Sequence, residues 1–437
     1  MMCGIIAIAR QKSSRIPLSA EQVTQIADLR NIGRIQGHED ILRSIKILRR
    51  VKELISGSAG INSLINNPQF RVQLQGICTI LTEDLDNFES DLVQTGMDSQ
   101  ILEKINSDLI KLKDLLWHIE NDRVIVSHLV EELLGGRKGD RFIEVLLTVQ
   151  QVLAGLDRLE VRGRDSAGIH LMIQNHGLDL ENPGVIHEIE ERTKDLNYKS
   201  GSVRILDNAL SIVYKVASEI GELGDNTREL RKLILADDLL YRALENEDVT
   251  AVAIGHSRWA SVGIISEPNA HPMNSELLES EESPFVVVAA NGDVDNFADL
   301  KRIRDLQIPK LITSDSKVIP AIISNELSNQ DGPVRNLDEA FRQTVQSLDG
   351  SIAVIANADL EPNKLFMALR GSGQGLYIGL SDEAYVVASE PYGLVETTES
   401  YLRLNGEILP NRNDGVSGPG EIVSISLKER VALESLD

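Results

Sequence analysis

A cysteine stands near the start of the chain, in Met1-Met2-Cys3-Gly4-Ile5-Ile6. With the methionines removed, Cys3 carries a thiol and a free α-amino group on one residue. Reference pKa values of about 7.7 for the amine and about 8.5 for the thiol let the amine accept the thiol's proton near neutral pH. An N-terminal nucleophile activated by its own amine is an established catalytic arrangement. The plain alternative is a small buried residue that opens a β-strand. Three later regions could attend such a nucleophile. Gly255-His256-Ser257-Arg258-Trp259-Ala260-Ser261 leads on to Asn269-Ala270-His271-Pro272, Asn291-Gly292-Asp293 ends an apolar run, and Ser314-Asp315-Ser316 heads a helical pattern. Taken singly, each has a structural explanation. Arg258 suits a surface ion pair, His271 a turn before proline, Asn291-Gly292 a tight turn, and Ser314 or Asp315 a helix N-cap.

The elements that must position these groups fall into two textures. Cys3–Ala9 is a short, nearly unbroken apolar run and predicts a buried strand. From about Leu18 to Leu134 the pattern is helical. Ile41, Leu42, Ile45, Leu48, Val51, Leu54 and Ile55 recur at helical spacing, and Gly57, Gly60 and Asn66-Asn67-Pro68 interrupt it. A second helix is expected from Phe70 to about Val93, with Cys78 in its core. A third begins at Asp98 or Ser99, with a pattern running to Leu134 before Gly135-Gly136. Long amphipathic helices of this kind pack as a bundle or antiparallel hairpin. The block carries no Gly-rich loop and no ligand cluster, and is expected to be a structural appendage. A further helix follows from Asp140 to Leu159, then a strand through Ile169–Ile173. Two more helices are expected between Val203 and Leu244. After Val249, strands are predicted at Ala251–Ile254, Phe285–Ala290, Ile352–Ala356, Leu365–Leu369, Leu376–Ile378, Ala384–Val387 and Ile422–Ile425. Helices are predicted at about Phe297–Leu306 and Val318–Leu327. Many of the strands are continuously apolar, so the sheets must be covered on both faces, in a layered α/β or α+β body.

The bulk composition narrows the function. With 437 residues, 42% of them hydrophobic, the chain can bury two or three structural units. A net charge of −23 without a basic block argues against a nucleic-acid or anionic-membrane partner. Two cysteines, Cys3 and Cys78, exclude a disulfide framework and a Cys-rich zinc site and suit a reducing cytosol. The eight histidines are scattered, and no metal site or cofactor is expected. No apolar run reaches the roughly 18 residues of a membrane span, and a basic-then-apolar signal pattern is lacking. The expectation is a cytoplasmic protein.

Together, the four motif regions resemble the class II glutamine amidotransferase domain, an N-terminal-nucleophile hydrolase, and in particular the glutaminase domain of glutamine–fructose-6-phosphate aminotransferases. The matching residues are Cys3-Gly4-Ile5, Arg162-Gly163 with Asp165-Ser166-Ala167-Gly168, Gly255-His256 with Arg258-Trp259-Ala260, Asn269-Ala270-His271-Pro272, Asn291-Gly292 and Ser314-Asp315. Leu348-Asp349-Gly350, Arg370-Gly371-Ser372 and Ala388-Ser389 continue the series. The resemblance implies an α+β fold, the four-layer αββα sandwich of those hydrolases, with a large all-helical insertion. The glutaminase domain would comprise residues 3–10 and 141–430, and the insertion residues 18–134.

The resemblance also implies roles. Cys3 is the nucleophile that attacks the side-chain amide of L-glutamine, with its α-amine as base; a thioester forms, ammonia leaves and water releases glutamate. Asn291 and the backbone N–H of Gly292 form the oxyanion hole, where one donor is typically worth about 3 kcal/mol. Arg258 clamps the glutamine α-carboxylate, for which a planar bidentate donor suits better than lysine, and Asp315 pairs with the α-ammonium. Trp259 and Ser261 belong to a segment, running to Gly263, that closes over the substrate. His271 and Arg162 organise the site. The implied partner is a sugar-phosphate isomerase or synthase domain or subunit that takes the ammonia, in a homo-oligomer. The chain departs from the pattern at Val262, at Ala290 where a histidine is usual, and at Gly373-Gln374-Gly375-Leu376 in place of Ser-Pro-Leu. Asn291-Gly292-Asp293 and Ser314-Asp315-Ser316 lean toward the relatives that aminate phosphoribosyl pyrophosphate. That acceptor stays open, as does a non-catalytic glutamine-sensing module. Two expectations concern the ends of the sequence. Met2 is too large for efficient removal of Met1, so Met2 is the expected start or Met1 a remnant. Asp437 leaves no room for an acceptor domain, so either a larger protein or a separate partner is expected to supply it.

Overall fold

A computed structural model describes residues 3–19, 21–23, 32–92, 98–206, 209–217, 222–260, 263–278, 283–330, 335–398, 400–407, 420–427 and 432–435. The chain divides into two compact units, Lys12–Leu147 and a second made of Met1–Gln11 with Thr148–Asp437.

The first unit is helical. It holds α1 (His38–Leu54), α2 (Gly57–Asn66), α3 (Pro68–Leu92), α4 (Ser99–Ile119) and α5 (Val126–Leu134). Asp98 caps α4 by accepting a hydrogen bond from the Gln100 N–H. Ile41, Leu48, Leu74, Cys78, Leu81, Leu109 and Leu112 form its core. The expected helix breakers behave otherwise: Gly57 and Gly60 lie inside α2. Gly60 is small because the backbone is close, since a Cβ there would lie 2.0 Å from the Ile55 carbonyl carbon. The expected continuous helix to Leu134 is interrupted by a π-helical stretch at Glu120–Ile125.

The second unit is built on two sheets. Its strands are β1 (Gly4–Arg10), β2 (Ser166–Gln174), β3 (Val203–Leu206), β4 (Ala209–Val216), β5 (Thr250–Arg258), β6 (Met273–Asn274) and β7 (Val286–Gly292). They continue with β8 (Ile352–Ala358), β9 (Lys364–Arg370), β10 (Tyr377–Leu380), β11 (Ala384–Ala388), β12 (Tyr401–Arg403), β13 (Glu421–Ser426) and β14 (Ala432–Ser435). One sheet runs β12-β10-β11-β1-β5-β2-β4-β3 and the other β14-β13-β9-β8-β7-β6. Alternation along each strand sends one set of side chains inward: Ile5 and Ala7 of β1, Val252 and Ile254 of β5, Val287 and Ala289 of β7 and Ile355 of β8 share one core between the sheets. The opposite set of the second sheet, Val286, Val288 and Ala290, packs with residues of α11 (Val318–Ser328) and α12 (Leu337–Ser347).

The outer face of the first sheet is covered from Thr148 onward by α6 (Asp140–Leu159) and by α8 (Asp225–Leu235). Its close fit to α6 needs two glycines: a Cβ on Gly155 would lie 2.0 Å from Ile6 Cδ1, and one on Gly255 2.5 Å from Val152 Cγ1. The remaining helices are α7 (Pro183–Thr193), α9 (Asp238–Ala243) and α10 (Phe297–Ile303). The layers are therefore α, β, β, α, the sandwich expected, in an α+β fold. One expectation is corrected. The first of the two helices placed between Val203 and Leu244 is instead the antiparallel hairpin β3–β4, in register Val203 opposite Ile212. Its β-branched and aromatic residues Ile212, Val213 and Tyr214 are wholly buried in the sheet. Among the described residues no helix is long and apolar enough to cross a membrane.

Candidate active site

The site begins where β1 enters the first sheet. β1 lies between β11 and β5, and Gly4 pairs with Ser257. That register brings the residues after the end of β5 to Cys3, and a one-residue slip would turn every side chain to the other face. The Trp259 N–H lies 3.2 Å from Cys3 Sγ, and Sγ is 3.5 Å from the Trp259 carbonyl oxygen. Burial pushes the Cys3 thiol above its ordinary pKa. The Trp259 N–H and the Arg258 charge oppose that rise, and the charges of Asp293 and Asp165 add to it. A thiol in this setting stays protonated at neutral pH unless a base is supplied, and its own α-amine is a base of suitable pKa.

The second sheet contributes the groups that face this thiol. β7 ends at Asn291-Gly292. Asn291 is buried, and its Nδ2 donates to the Cys3 carbonyl oxygen at 2.8 Å. Its Oδ1 accepts from His256 Nε2 at 3.1 Å, and the same nitrogen lies 3.0 Å from the Ala290 carbonyl oxygen. Both partners are acceptors, so Nε2 carries a proton. Burial lowers the His256 pKa to about 3. Gly292 turns the chain with φ +88, in the left-handed region. A Cβ there would lie 2.0 Å from the Ser351 carbonyl oxygen. The backbone thus reaches a conformation only glycine supplies at low cost.

His271 acts one step back. Its Nδ1 accepts from the Ala290 N–H at 3.1 Å, and its ring lies 4.3 Å from that of His256, centroid to centroid. Burial, with the charges around it, holds its pKa well below the ordinary value. The two neutral imidazoles both hydrogen-bond the end of β7.

Arg258 ends β5 and is buried. Its Nη1 donates to the Ile264 carbonyl oxygen at 3.3 Å. Burial lowers its pKa, and the charges of Cys3, Asp315 and Asp165 oppose that shift. Asp315 opens a single 3-10 turn ahead of α11, and its Oδ2 accepts from the Val294 N–H at 2.7 Å. Burial raises its pKa. A guanidinium and a carboxylate thus lie within electrostatic reach of each other, both held back from water, and such a pair could bind groups of opposite charge. Trp259, whose backbone meets the thiol, is 42% exposed. Arg162 ends the 3-10 turn Glu160–Arg162; its side chain, and all of Ser261, lie outside the described part of the structure. Among the described residues no three His, Cys, Asp or Glu side chains gather into a group that could hold a metal ion.

Three residues of the matched motifs contribute more than the sequence assigned to them. His256 orients Asn291. Asp165 accepts from the Ala260 N–H at 2.8 Å, while its own N–H donates to the Arg258 carbonyl oxygen at 3.0 Å, tying down the start of the Trp259 segment. Asn269 Oδ1 accepts from the N–H groups of Thr313 and Ser314 at 2.7 and 2.9 Å, which sets the loop ahead of Asp315. A signal existed for His256: it follows Val252 and Ile254 at strand period on the inward face of β5, where a polar side chain needs a partner.

No family model matches the chain. Glutamine–fructose-6-phosphate aminotransferase [isomerizing] of Bacillus cereus is 28% identical over 254 residues, 58% of this chain and 32% of that protein. The Geobacillus kaustophilus protein of the same name is 27% identical over 267 residues, 61% of this chain and 34% of that protein. The chain thus spans about a third of the length of these curated relatives. Among solved structures, glutamine phosphoribosylpyrophosphate amidotransferase from B. subtilis superposes with a TM-score of 0.41 at 20% identity, covering 66% of this chain and 46% of that one. The sequence relationship carries the family likeness. Over 58% of its length, this chain is similar to glutamine–fructose-6-phosphate aminotransferases, the class II glutamine amidotransferases whose motifs it bears.

Proposed function

We propose that the chain hydrolyses L-glutamine to glutamate and ammonia. The observation that carries this reading is the convergence on Cys3 of an amide donor from the other sheet, Asn291 Nδ2 at 2.8 Å from the Cys3 carbonyl oxygen, with the glycine turn that follows it. In the reaction, the α-amine of a mature Cys3 takes the thiol proton and Sγ attacks the side-chain amide carbon. The carbonyl oxygen becomes an oxyanion held by Asn291 Nδ2 and the Gly292 N–H. The ammonium returns its proton to the leaving nitrogen, ammonia departs and a thioester remains. Water then adds to the thioester and releases glutamate. Arg258 binds the α-carboxylate bidentately, Asp315 binds the α-ammonium, and together they select an amino acid over a simple amide. Trp259 and Ser261 cover the bound substrate, and His271 and Arg162 hold the site in shape.

The reading extends to the whole protein. Residues 3–10 and 141–430 form the glutaminase domain, with residues 18–134 inserted as a helical block. The ammonia passes to a phosphosugar acceptor of the fructose-6-phosphate type, on a separate domain or subunit, in a cytoplasmic homo-oligomer. The name of the curated relatives supports that acceptor. The test is glutamate release from glutamine by a chain that begins at Cys3. Turnover is expected, and Cys3→Ala is expected to abolish it. Equal turnover by Cys3→Ala would refute the proposal.

A further inference from the structure

The loop between β9 and β10 reads Gly371-Ser372-Gly373-Gln374-Gly375. In a run of glycine and serine, one long side chain stands out, and its position is specific. An ideal Cβ on Gly292 would lie 3.3 Å from Gln374 Nε2, so the Gln374 carboxamide stands against the turn that the glutaminase reading assigns to the oxyanion. Gln374 is half-buried, and no hydrogen bond to its carboxamide is found among the described residues.

The loop that carries it is fastened to both halves of the site. The Gly373 N–H donates to Ser351 Oγ at 2.8 Å. Ser351 is also the residue whose carbonyl oxygen sits under Gly292. The Gly371 N–H donates to the Gly406 carbonyl oxygen at 2.8 Å. A Cβ on Gly375 would lie 3.0 Å from the Ser389 carbonyl oxygen. Ser389 in turn exchanges hydrogen bonds with Ile5, its Oγ accepting from the Ile5 N–H at 3.1 Å and its own N–H donating to the Ile5 carbonyl oxygen at 3.0 Å. One end of the Gln374 loop therefore rests on the oxyanion turn and the other on the strand that bears the nucleophile.

An oxyanion has three lone pairs. Asn291 already spends one N–H on the Cys3 carbonyl oxygen, which leaves one from Asn291 and one from Gly292. We infer that Gln374 supplies a third donor: its carboxamide N–H bonds to the amide oxygen of bound glutamine as that oxygen gains charge. This inference rests on the glutaminase reading. No covalent change occurs at Gln374, and its contribution is a hydrogen bond that strengthens as the carbonyl becomes tetrahedral.

The test uses the full chain beginning at Cys3 with three probes: L-glutamine as substrate, the γ-semialdehyde of glutamate, and L-glutamate. The Cys3 thiol adds across the aldehyde to give a thiohemiacetal, a tetrahedral mimic, whereas glutamate reports ground-state binding. Gln374→Met removes the donor at similar length, and Gln374→Glu keeps the shape with acceptors only. Both variants are expected to lower kcat/KM about 10- to 100-fold, mainly through kcat, the range of one hydrogen bond to a charged group. Semialdehyde affinity should weaken by a similar factor while glutamate affinity stays level, a split that mere loosening of the loop would not give. Wild-type turnover with unchanged kcat/KM in either variant would overturn the inference and leave the glutaminase reading standing. A wild-type chain with a confirmed Cys3 N-terminus and no turnover would overturn both.

Discussion

Asn291 and Cys3 are 288 residues apart in sequence and joined by one 2.8 Å hydrogen bond from Asn291 Nδ2 to the Cys3 carbonyl oxygen. The bond crosses between the two sheets, so the proposed nucleophile and its proposed oxyanion donor hold their spacing only while the sheets keep theirs. Asn291→Ala is expected to lower kcat about 10²- to 10³-fold, the loss typical of one oxyanion-hole donor. KM for glutamine should change much less. Steady-state kinetics on the chain beginning at Cys3 measure this, and a variant within threefold of wild type in kcat would exclude Asn291 from the oxyanion hole.

His256 positions that amide from behind. Replacing it with phenylalanine keeps a ring near His271 but leaves the Asn291 and Ala290 oxygens without their buried donor, which costs roughly 1–3 kcal/mol. His256→Phe should thus lower both stability and kcat, whereas His256→Gln, which retains an N–H donor, should recover part of each. The same residue fixes a pH dependence. Its pKa is about 3 in the folded chain against 6.5 unperturbed. Between those values the unfolded chain binds the extra proton, so stability rises with pH across that window and is fully present above it. Denaturant midpoints between pH 4 and pH 7 should climb less steeply in His256→Gln.

Why some of this was legible and some was not follows from the range of the interactions. Cys3, Arg258, Asn291 and Asp315 each sit at a strand or helix boundary that apolar runs mark locally, so their motifs could be placed on elements. The roles of His256, Asp165 and Asn269 come from hydrogen bonds that span 35, 95 and 45 residues, and nothing in a local window encodes them. The β3–β4 hairpin failed for a related reason. Its apolar residues Val203, Leu206, Leu210 and Val213 also fit a helical spacing, and pairing of β4 with β2 decided in favour of strand. In α2, Gly60 looked like a breaker and is a contact.

Arg258 should not tolerate its usual conservative exchange. Lysine carries the charge but cannot offer two parallel N–H donors to one carboxylate. Arg258→Lys is expected to raise KM for glutamine at least about tenfold, a loss of the order of one charge-assisted hydrogen bond, with a smaller change in kcat. Asp315→Asn should raise KM likewise, and should also narrow the discrimination between glutamine and an analogue lacking the α-ammonium. An unchanged KM in both variants would remove the pair from substrate binding.

Lys215 of β4 and Lys317, which precedes α11, are both wholly buried, and burial is the main cause that lowers each pKa to about 7. For Lys215 the charge of Lys317 adds to the effect. Lys317 Nζ donates to the Asn274 carbonyl oxygen at 2.6 Å and to Asn274 Oδ1 at 2.9 Å, whereas Lys215 Nζ lies 5.1 Å from the centre of the Tyr198 ring. The unfolded chain holds both protons up to the ordinary lysine pKa of 10.5, while the folded chain releases them near pH 7. In that interval the unfolded state binds more protons, so folding becomes more favourable as pH rises, by up to about 1.4 kcal/mol per pH unit for each lysine. Lys215→Met removes one of the two groups and relieves the other of a like charge. It is expected to raise stability near pH 7 and to flatten the rise from pH 7 to pH 9, measured as denaturant midpoints at constant m. A variant with the same slope as wild type would show that Lys215 is not the titrating group.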